Sequence, residues 1–394
     1  MDTDWPAVEV TPAGALPGDT TLTIRPDLMI TTSDLEDGVE RRAYTKVVRA
    51  TGGSLASGQF LAPAGCQITG ALPPNLGIAV NVDNVTCLMN PNILDATAGN
   101  YPVTVTMIDT PILDGVTGDT VTPAATVPTD PNSAKPFTLT VRPDLAIVTS
   151  DLEDGVEQRA YTKVVRASGG SLASGQALAD PPVGCQAAGL VSNLTIIRNL
   201  WPFVPGGDPA FTTCLISPDV ADGTAVVNQP VTVTMVDTPI TDVDTGATVT
   251  PAATVGTDPN STKGFLLTIH PELQITTPAP PEAGVERRSY TKIVRVAGGA
   301  IAGGGTLAAD PDGCQETTAP PVFPTLGATI VRNPLDATTC KVSAAAVTDG
   351  TAGSYPLQIT VQDIPFMDTD WPAVEVTPAA VSYTHLRAHE TVLD

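Results

Sequence analysis

The sequence predicts an all-β protein built as a tandem array of antiparallel β-sandwich domains, and three observations carry that prediction. The stretch from Thr32 to Gln59, TSDLEDGVERRAYTKVVRATGGSLASGQ, returns almost letter for letter from Thr149 to Gln176, and a looser copy runs from Thr277 to Gly305. The spacing of roughly 120 residues is the size of one compact domain and too long for a solenoid turn or propeller blade. Val, Thr, Gly, Pro and Ala dominate the composition, while no window sustains a 3.6-residue hydrophobic period. Val and Thr favour pleated strands, and Gly and Pro mark turns.

The chain of 394 residues divides into three repeats, with 42% apolar residues to fill a core in each. Residues 1–26 read as the closing strands of a preceding unit, because Met1 to Pro12 (MDTDWPAVEVTP) is repeated at Met367 to Pro378, inside the third repeat. Domains are expected over 27–143, 144–271 and 272–380, the third lacking its last strand, joined at Pro26, Pro143 and Pro271. Each of these prolines removes a ladder donor and restricts the residue before it, which ends a strand. Connections this short predict an extended, rod-like array.

Within a repeat, the segment around Tyr44 (Tyr161, Tyr290) forms an early strand that leaves through Gly52-Gly53. The middle varies in length, as surface loops do, and is longest in the second repeat, where WPFVPGGDPAF runs from Trp201 to Phe211. The strand beginning at Tyr101 alternates cleanly: Val103, Val105 and Met107 point one way, Thr104 and Thr106 the other. Phe137, Leu139 and Val141 alternate in the same manner near the repeat's end. About seven short strands per repeat with frequent turns favour two packed sheets.

Six cysteines fall two to a repeat, and each repeat is expected to close its own loop: Cys66–Cys87, Cys185–Cys214 and Cys314–Cys340. Two thiolates per unit with no neighbouring His and no Cys-x-x-Cys spacing make a poor zinc site. Disulfides imply an oxidising compartment, hence an extracellular or cell-surface location, with any signal peptide upstream of residue 1. No run of eighteen apolar residues suggests membrane insertion. The formal charge of −23 disfavours nucleic acid and anionic lipid as partners.

These residues resemble the immunoglobulin-like or cadherin-like (dystroglycan-type) repeats of large bacterial surface proteins. The resemblance rests on the Tyr strand ending in Gly-Gly, the Leu-Pro-Pro-x-Leu turn (Leu72 to Leu76), Ala-Gly-x-Tyr (Ala98 to Tyr101), the alternating strand ending in Asp, and the closing Thr-Leu-Thr-Val. The cysteine pairs depart from that pattern. The resemblance implies a sandwich domain of adhesins, cell-wall proteins and multidomain exported enzymes, and it implies no catalytic residues.

The acids gather in turn-like segments: Asp34, Glu36 and Asp37 with their copies Asp151, Glu153 and Asp154; Asp109, Asp114 and Asp119; and Asp237, Asp242 and Asp244. Hard cations want several oxygen ligands on turns, so these are the candidate calcium ligands. The plainer alternative is solubility and turn formation. In the third repeat PAPPEAG replaces DLEDG and keeps only Glu282.

Catalysis is not expected. Outside the tail the only histidine is His270, at a strand end where the other repeats carry Arg25 and Arg142, and no G-x-S-x-G elbow is present. His385, His389 and Glu390 have metal-like spacing, yet they belong to residues 381–394, which break the repeat and resemble a translated adapter. The expected function is a structural or adhesive segment of a secreted or surface protein, a stalk or a presenter of binding loops. Its partners would be a surface glycan or protein ligand and the neighbouring repeats of the same chain. The alternative is an accessory carbohydrate- or ligand-binding array beside an exported enzyme, with Trp201, Phe203 and Phe211 as the aromatic platform.

Overall fold

The structure, a computed structural model, describes residues 9–10, 22–200, 210–278, 282–379 and 381–387. It is built almost wholly of strands, with two single-turn helices, Gly299–Ala302 and Phe323–Leu326, and four short 3-10 turns among the described residues. The chain forms two compact units: one comprises Met1–Ile147, Ala167–Ala179 and Val236–Thr262, the other Val148–Arg166, Asp180–Met235 and Lys263–Asp394.

The first repeat lies entirely in the first unit and shows the sandwich. One sheet carries, in order, Gly38–Val39, Ala134–Arg142, Gly99–Asp109 and Leu61–Gly70. Gly38–Val39 runs parallel to the end of Ala134–Arg142, and the remaining pairs are antiparallel. Facing it, Lys46–Val48 pairs with Cys87–Asn90, which pairs with Gly77–Val80, while Met29–Ile30 pairs with Ala50–Thr51. Two sheets in this order make an immunoglobulin-like sandwich.

The alternation read along the Tyr101 strand holds: Val103, Val105 and Met107 are buried, with Thr104 and Thr106 on the other face. Leu28, Tyr44, Met89, Leu139 and Val141 complete the same core. Apolar positions at period two therefore make each sheet one-sided, and burial of the two apolar faces drives their packing.

Cys66 and Cys87 bond across the layers, joining the Leu61–Gly70 strand to the opposite sheet. Cys185–Cys214 and Cys314–Cys340 do the same in the second unit.

In the second unit the third repeat has its own core, with Leu273, Val294, Phe323, Val342 and Ile359 inside. Residues 381–387, set aside above as foreign to the repeat, form a strand antiparallel to Pro356–Gln362. They thus take the place that Ala134–Arg142 holds beside Gly99–Asp109. The physical reason is an open ladder: the Pro356–Gln362 edge presents backbone donors and acceptors that an extended segment of suitable length can satisfy.

Candidate functional site

The stretch Glu36 to Gly53 places several charged side chains in the interior, among them Glu36, Arg42 and Lys46, and each is placed by a simple local cause. The Thr110–Thr122 region and its equivalents form a small hairpin at the end of each repeat, seen as Ile112–Leu113 with Thr120–Thr122, Ile240–Thr241 with Thr248–Thr250, and Phe366–Met367 with Glu375–Thr377. In the first unit, the hairpin of the second repeat lies against the Tyr44 segment of the first. Val249 joins the first repeat's core, the Thr45 amide donates to the Val249 carbonyl at 2.9 Å, and the Thr250 hydroxyl donates to the Asp37 carbonyl at 3.1 Å.

Arg42 lies at the centre of this contact and is completely buried. Its Nε donates to Asp258 Oδ2 at 2.9 Å, and its Nη2 to Asp258 Oδ1 at 2.8 Å and Asp237 Oδ2 at 2.9 Å. Nη1 donates to Asp237 Oδ1 and to the Pro251 carbonyl, both at 3.0 Å. All five N–H groups of the guanidinium are therefore used, which only a planar fork between two carboxylates allows. Burial works against the charge on Arg42, but its hydrogen bonds to Asp258 and Asp237 outweigh this and raise its pKa above the ordinary arginine value.

The two carboxylates are held by backbone donors as well. Asp237 accepts from the amides of Ser171 (2.6 Å) and Ala253 (2.8 Å), and Asp258 accepts from the amide of Leu145 (2.7 Å) and the hydroxyl of Thr257 (2.7 Å). The Gly-Gly pair explains itself here. Gly169 has φ +80°, and a Cβ on it would strike the Asp144 carbonyl; a Cβ on Gly170 would strike Asp237 and lie 2.9 Å from Arg42 Nη2. Only glycine leaves room for the clamp.

Lys46, also fully buried, forms the second tooth. Its Nζ lies 2.7 Å from Glu36 Oε2 and 3.0 Å from Asp242 Oδ2. Tyr44 beside it donates to the Glu36 carbonyl at 3.1 Å, and burial pushes its phenol well above the ordinary tyrosine value. Burial raises the Asp242 carboxyl, yet hydrogen bonds from Lys46 and the Asp244 amide lower it more, so its net pKa falls.

The second unit repeats the arrangement one step along the chain. Arg159 donates to Asp363 at 3.0 and 2.9 Å and to the Pro378 carbonyl at 3.3 Å. Lys163 lies 2.8 Å from Glu153 and 3.0 Å from Asp368, and the Thr162 amide donates to Val376 at 2.8 Å. Arg166 stacks over Trp371, its guanidinium carbon 4.6 Å from the ring centroid.

The candidate calcium ligands have these places. Glu36, Asp237 and Asp242 are clamp residues, and Glu153 is their copy. Asp34 and Asp151 each accept the next residue's amide at 2.8 Å. Asp37 pairs with Arg142 at 2.7 Å and accepts from the Ser174 hydroxyl at 2.6 Å, and Asp154 meets His270 Nε2 at 2.7 Å. Asp244 accepts from the Ser33 hydroxyl at 2.7 Å, Asp109 accepts two amides, Asp114 caps its own turn and Asp119 is exposed. Among the described residues, no group of three or more His, Cys, Asp or Glu is arranged to hold a metal ion. Arg42, Lys46, Arg159, Lys163 and Asp258 receive no role from sequence alone; the signal was there, since Arg-x-Tyr-Thr-Lys and the Thr-Asp-Pro-Asn turn both recur.

Of the aromatic platform, Phe211 lies under Arg198, 5.0 Å from its guanidinium carbon, while Trp201 and Phe203 fall outside the described residues. His385 is in a described strand, but its side chain is outside the described set, as are His389 and Glu390.

No protein-family model matches the chain, and no curated protein matches it. Solved structures with partial likeness include the titin fragment I67-I69 (10% identity over 92% of this chain and 99% of that one, TM-score 0.29) and the eight N-terminal immunoglobulin domains of Down Syndrome Cell Adhesion Molecule (11%, 92% and 42%, 0.27). An endo-fucoidan hydrolase of glycoside hydrolase family 107 scores alike (11%, 91% and 43%, 0.27), and superpositions this loose carry no argument. The strand order itself makes this an all-β chain of tandem immunoglobulin-like sandwiches.

Proposed function

We propose that this chain is a structural segment of a secreted or cell-surface repeat protein, a stalk whose loops are available for adhesion, with domains at 27–143, 144–271 and 272–380. The observation that supports it is the buried Arg42 clamp. A joint that sinks a guanidinium between two carboxylates of the following repeat resists hinging, which suits an array that bears load. Three disulfides fit an oxidising exterior. The test is single-molecule stretching of the full chain. Forced unfolding is governed by the unfolding rate, so Arg42→Met should lower the unfolding force of one segment while leaving the others alone. Equal forces in the two proteins would remove the load-bearing reading. Glycan binding that vanished with Trp201→Ala would instead favour the accessory ligand-binding array.

A further inference from the structure

The second tooth of the clamp brings an amine and two carboxylates together in a space closed to water. Lys46 Nζ lies 2.9 and 2.7 Å from the two Glu36 oxygens and 3.0 Å from Asp242 Oδ2. The lysine side chain is fully buried, and those of Glu36 and Asp242 are 6% and 3% exposed. Lys163 stands in the same way between Glu153, at 3.0 and 2.8 Å, and Asp368, at 3.0 Å. Each triad lies within a single compact unit.

The two carboxylates of a triad differ in what else they touch. Asp242 Oδ1 accepts from the amides of Asp244 (2.8 Å) and Thr245 (3.0 Å), so two backbone donors converge on one oxygen. Such a pair of amides stabilises the oxyanion of a tetrahedral intermediate in acyl transfer. The other oxygen, Oδ2, faces the amine. Glu36 instead has both oxygens on Nζ, and its Oε1 takes the Val243 amide besides. That places Glu36 to carry protons and Asp242 to be attacked. In the second unit Glu153 Oε1 takes the Thr369 amide at 2.7 Å. Asp368 Oδ1 accepts from the amides of Asp370 (2.9 Å) and Trp371 (3.1 Å) and is also the oxygen nearest Lys163, while Oδ2 is buried without a hydrogen-bond partner.

We propose that each triad closes an amide bond between side chains, joining Lys46 Nζ to Asp242 Cγ and Lys163 Nζ to Asp368 Cγ, with Glu36 and Glu153 as the acid–base residues. Lys46 passes a proton to Glu36, and the freed lone pair attacks Asp242 Cγ. The Nζ–Cγ bond forms, negative charge collects on Oδ1 between its two amides, and the Cγ–Oδ2 bond then breaks. Oδ2 leaves as water with two of the three ammonium hydrogens, delivered through Glu36, which ends as it began. Ammonium and carboxylate thus become amide and water, nothing is oxidised or reduced, and no co-reactant is needed. Holding the two groups in contact replaces a bimolecular encounter, and the exclusion of water protects the product from hydrolysis.

The ion pair in the structure is the unclosed form, and the acid sensitivity of Asp242 belongs to that form. The bond ties one repeat to the next, but it rests on the geometry of the triad and stands apart from the load-bearing reading. Two partial copies should stay open. Asp114 accepts the Val116 and Thr117 amides in the same kind of turn, with no lysine beside it among the described residues. Lys292 has only Glu282, whose side chain is 74% exposed, as its carboxylate partner among the described residues.

The experiment is the intact mass of the full chain, reduced and denatured, with tryptic mapping. The chain should be lighter than its sequence requires by two waters. Two branched peptides are expected, one joining Lys46 to Asp242 and one joining Lys163 to Asp368, with normal cleavage after Lys292. Glu36→Gln keeps the amine and the acceptor but cannot carry the proton, and Lys46→Arg removes the nucleophile. Each should lose the first branch, keep the second and show a deficit of one water. The parent chain decides the matter even where a variant folds poorly. For either triad, a lysine and an aspartate recovered unjoined, or a water deficit that maps to a linear peptide, would overturn the proposal. A Lys46 branch that persists in Glu36→Gln would overturn the role of Glu36.

Discussion

Arg42 and Asp237, 195 residues apart, face each other as a two-pronged pair at 2.9 and 3.0 Å with neither side chain exposed. A buried pair of this kind contributes little over a well-packed apolar substitute, but breaking it from one side strands a charge. Arg42→Met should therefore cost about 3–5 kcal/mol, since it leaves Asp237 and Asp258 buried together. Arg42→Lys should recover only a small part, because a point charge cannot supply five donors in a plane. Hydrogen exchange at the Ser171 and Leu145 amides, both bonded to those carboxylates, reads the loss directly. Unchanged protection there would show that the clamp adds nothing.

Lys46 offers a sharper test, because its partners can be removed one at a time. Lys46→Met keeps the volume but leaves Glu36 and Asp242 facing each other without a cation. Adding Glu36→Gln to Lys46→Met should restore part of the lost stability, giving a coupling of about 0.5–3 kcal/mol in a double-mutant cycle. Additive effects would mean that the pair contributes nothing beyond packing.

The sandwich was legible in the sequence because its signal is local. Val103, Val105 and Met107 declare their face by alternation, and the doubled cysteines by their recurrence. The clamp was not, because its signal is split between distant places. Asp237 and Asp242 sit in a turn that looks like any acidic turn, and the lysine and arginine that claim them come from the preceding repeat. Acids close in sequence suggested a shared cation; the fold instead sends Glu36 to Lys46, Asp37 to Arg142 and Asp34 to a backbone amide.

Acid should weaken the protein through particular groups. Asp242 and Asp370 are raised by burial but lowered more by their hydrogen bonds and by Lys46 and Lys163, and Asp244 is lowered by Ser33. A carboxyl depressed in the folded state contributes stability that is complete above its unfolded value of about 3.9 and is lost as pH falls through the folded value. The melting temperature should thus hold through neutral and mildly acidic pH and drop below about pH 4. Asp242→Asn should flatten that drop. A fall centred near neutrality would point to other groups.

Calcium should have no effect on melting. Apart from the exposed Asp119, the acids that could have held it are bonded to lysine, arginine, histidine, hydroxyls or backbone amides, and a bound ion would have to displace those partners. Curves with millimolar calcium and with chelator are expected to coincide. A rise with calcium would indicate preferential binding to the folded state and restore the turn acids as ligands.

The three disulfides should act independently and nearly equally. Their partners are 21, 29 and 26 residues apart. In the chain-entropy account the stabilisation grows only with the logarithm of loop length, so each closure is worth between about 3 and 4 kcal/mol. Each bond joins the two sheets of one sandwich, so losing it frees the layers of that repeat without touching the others. Cys87, Cys214 and Cys340 are fully buried, which means that a reductant must wait for local opening. Peptide mapping of the unreduced chain should recover Cys66–Cys87, Cys185–Cys214 and Cys314–Cys340. Replacing one pair with alanine should lower the unfolding midpoint of a single transition. A change in all transitions at once, or bridges between repeats in the map, would show that the repeats do not fold as separate disulfide-closed sandwiches.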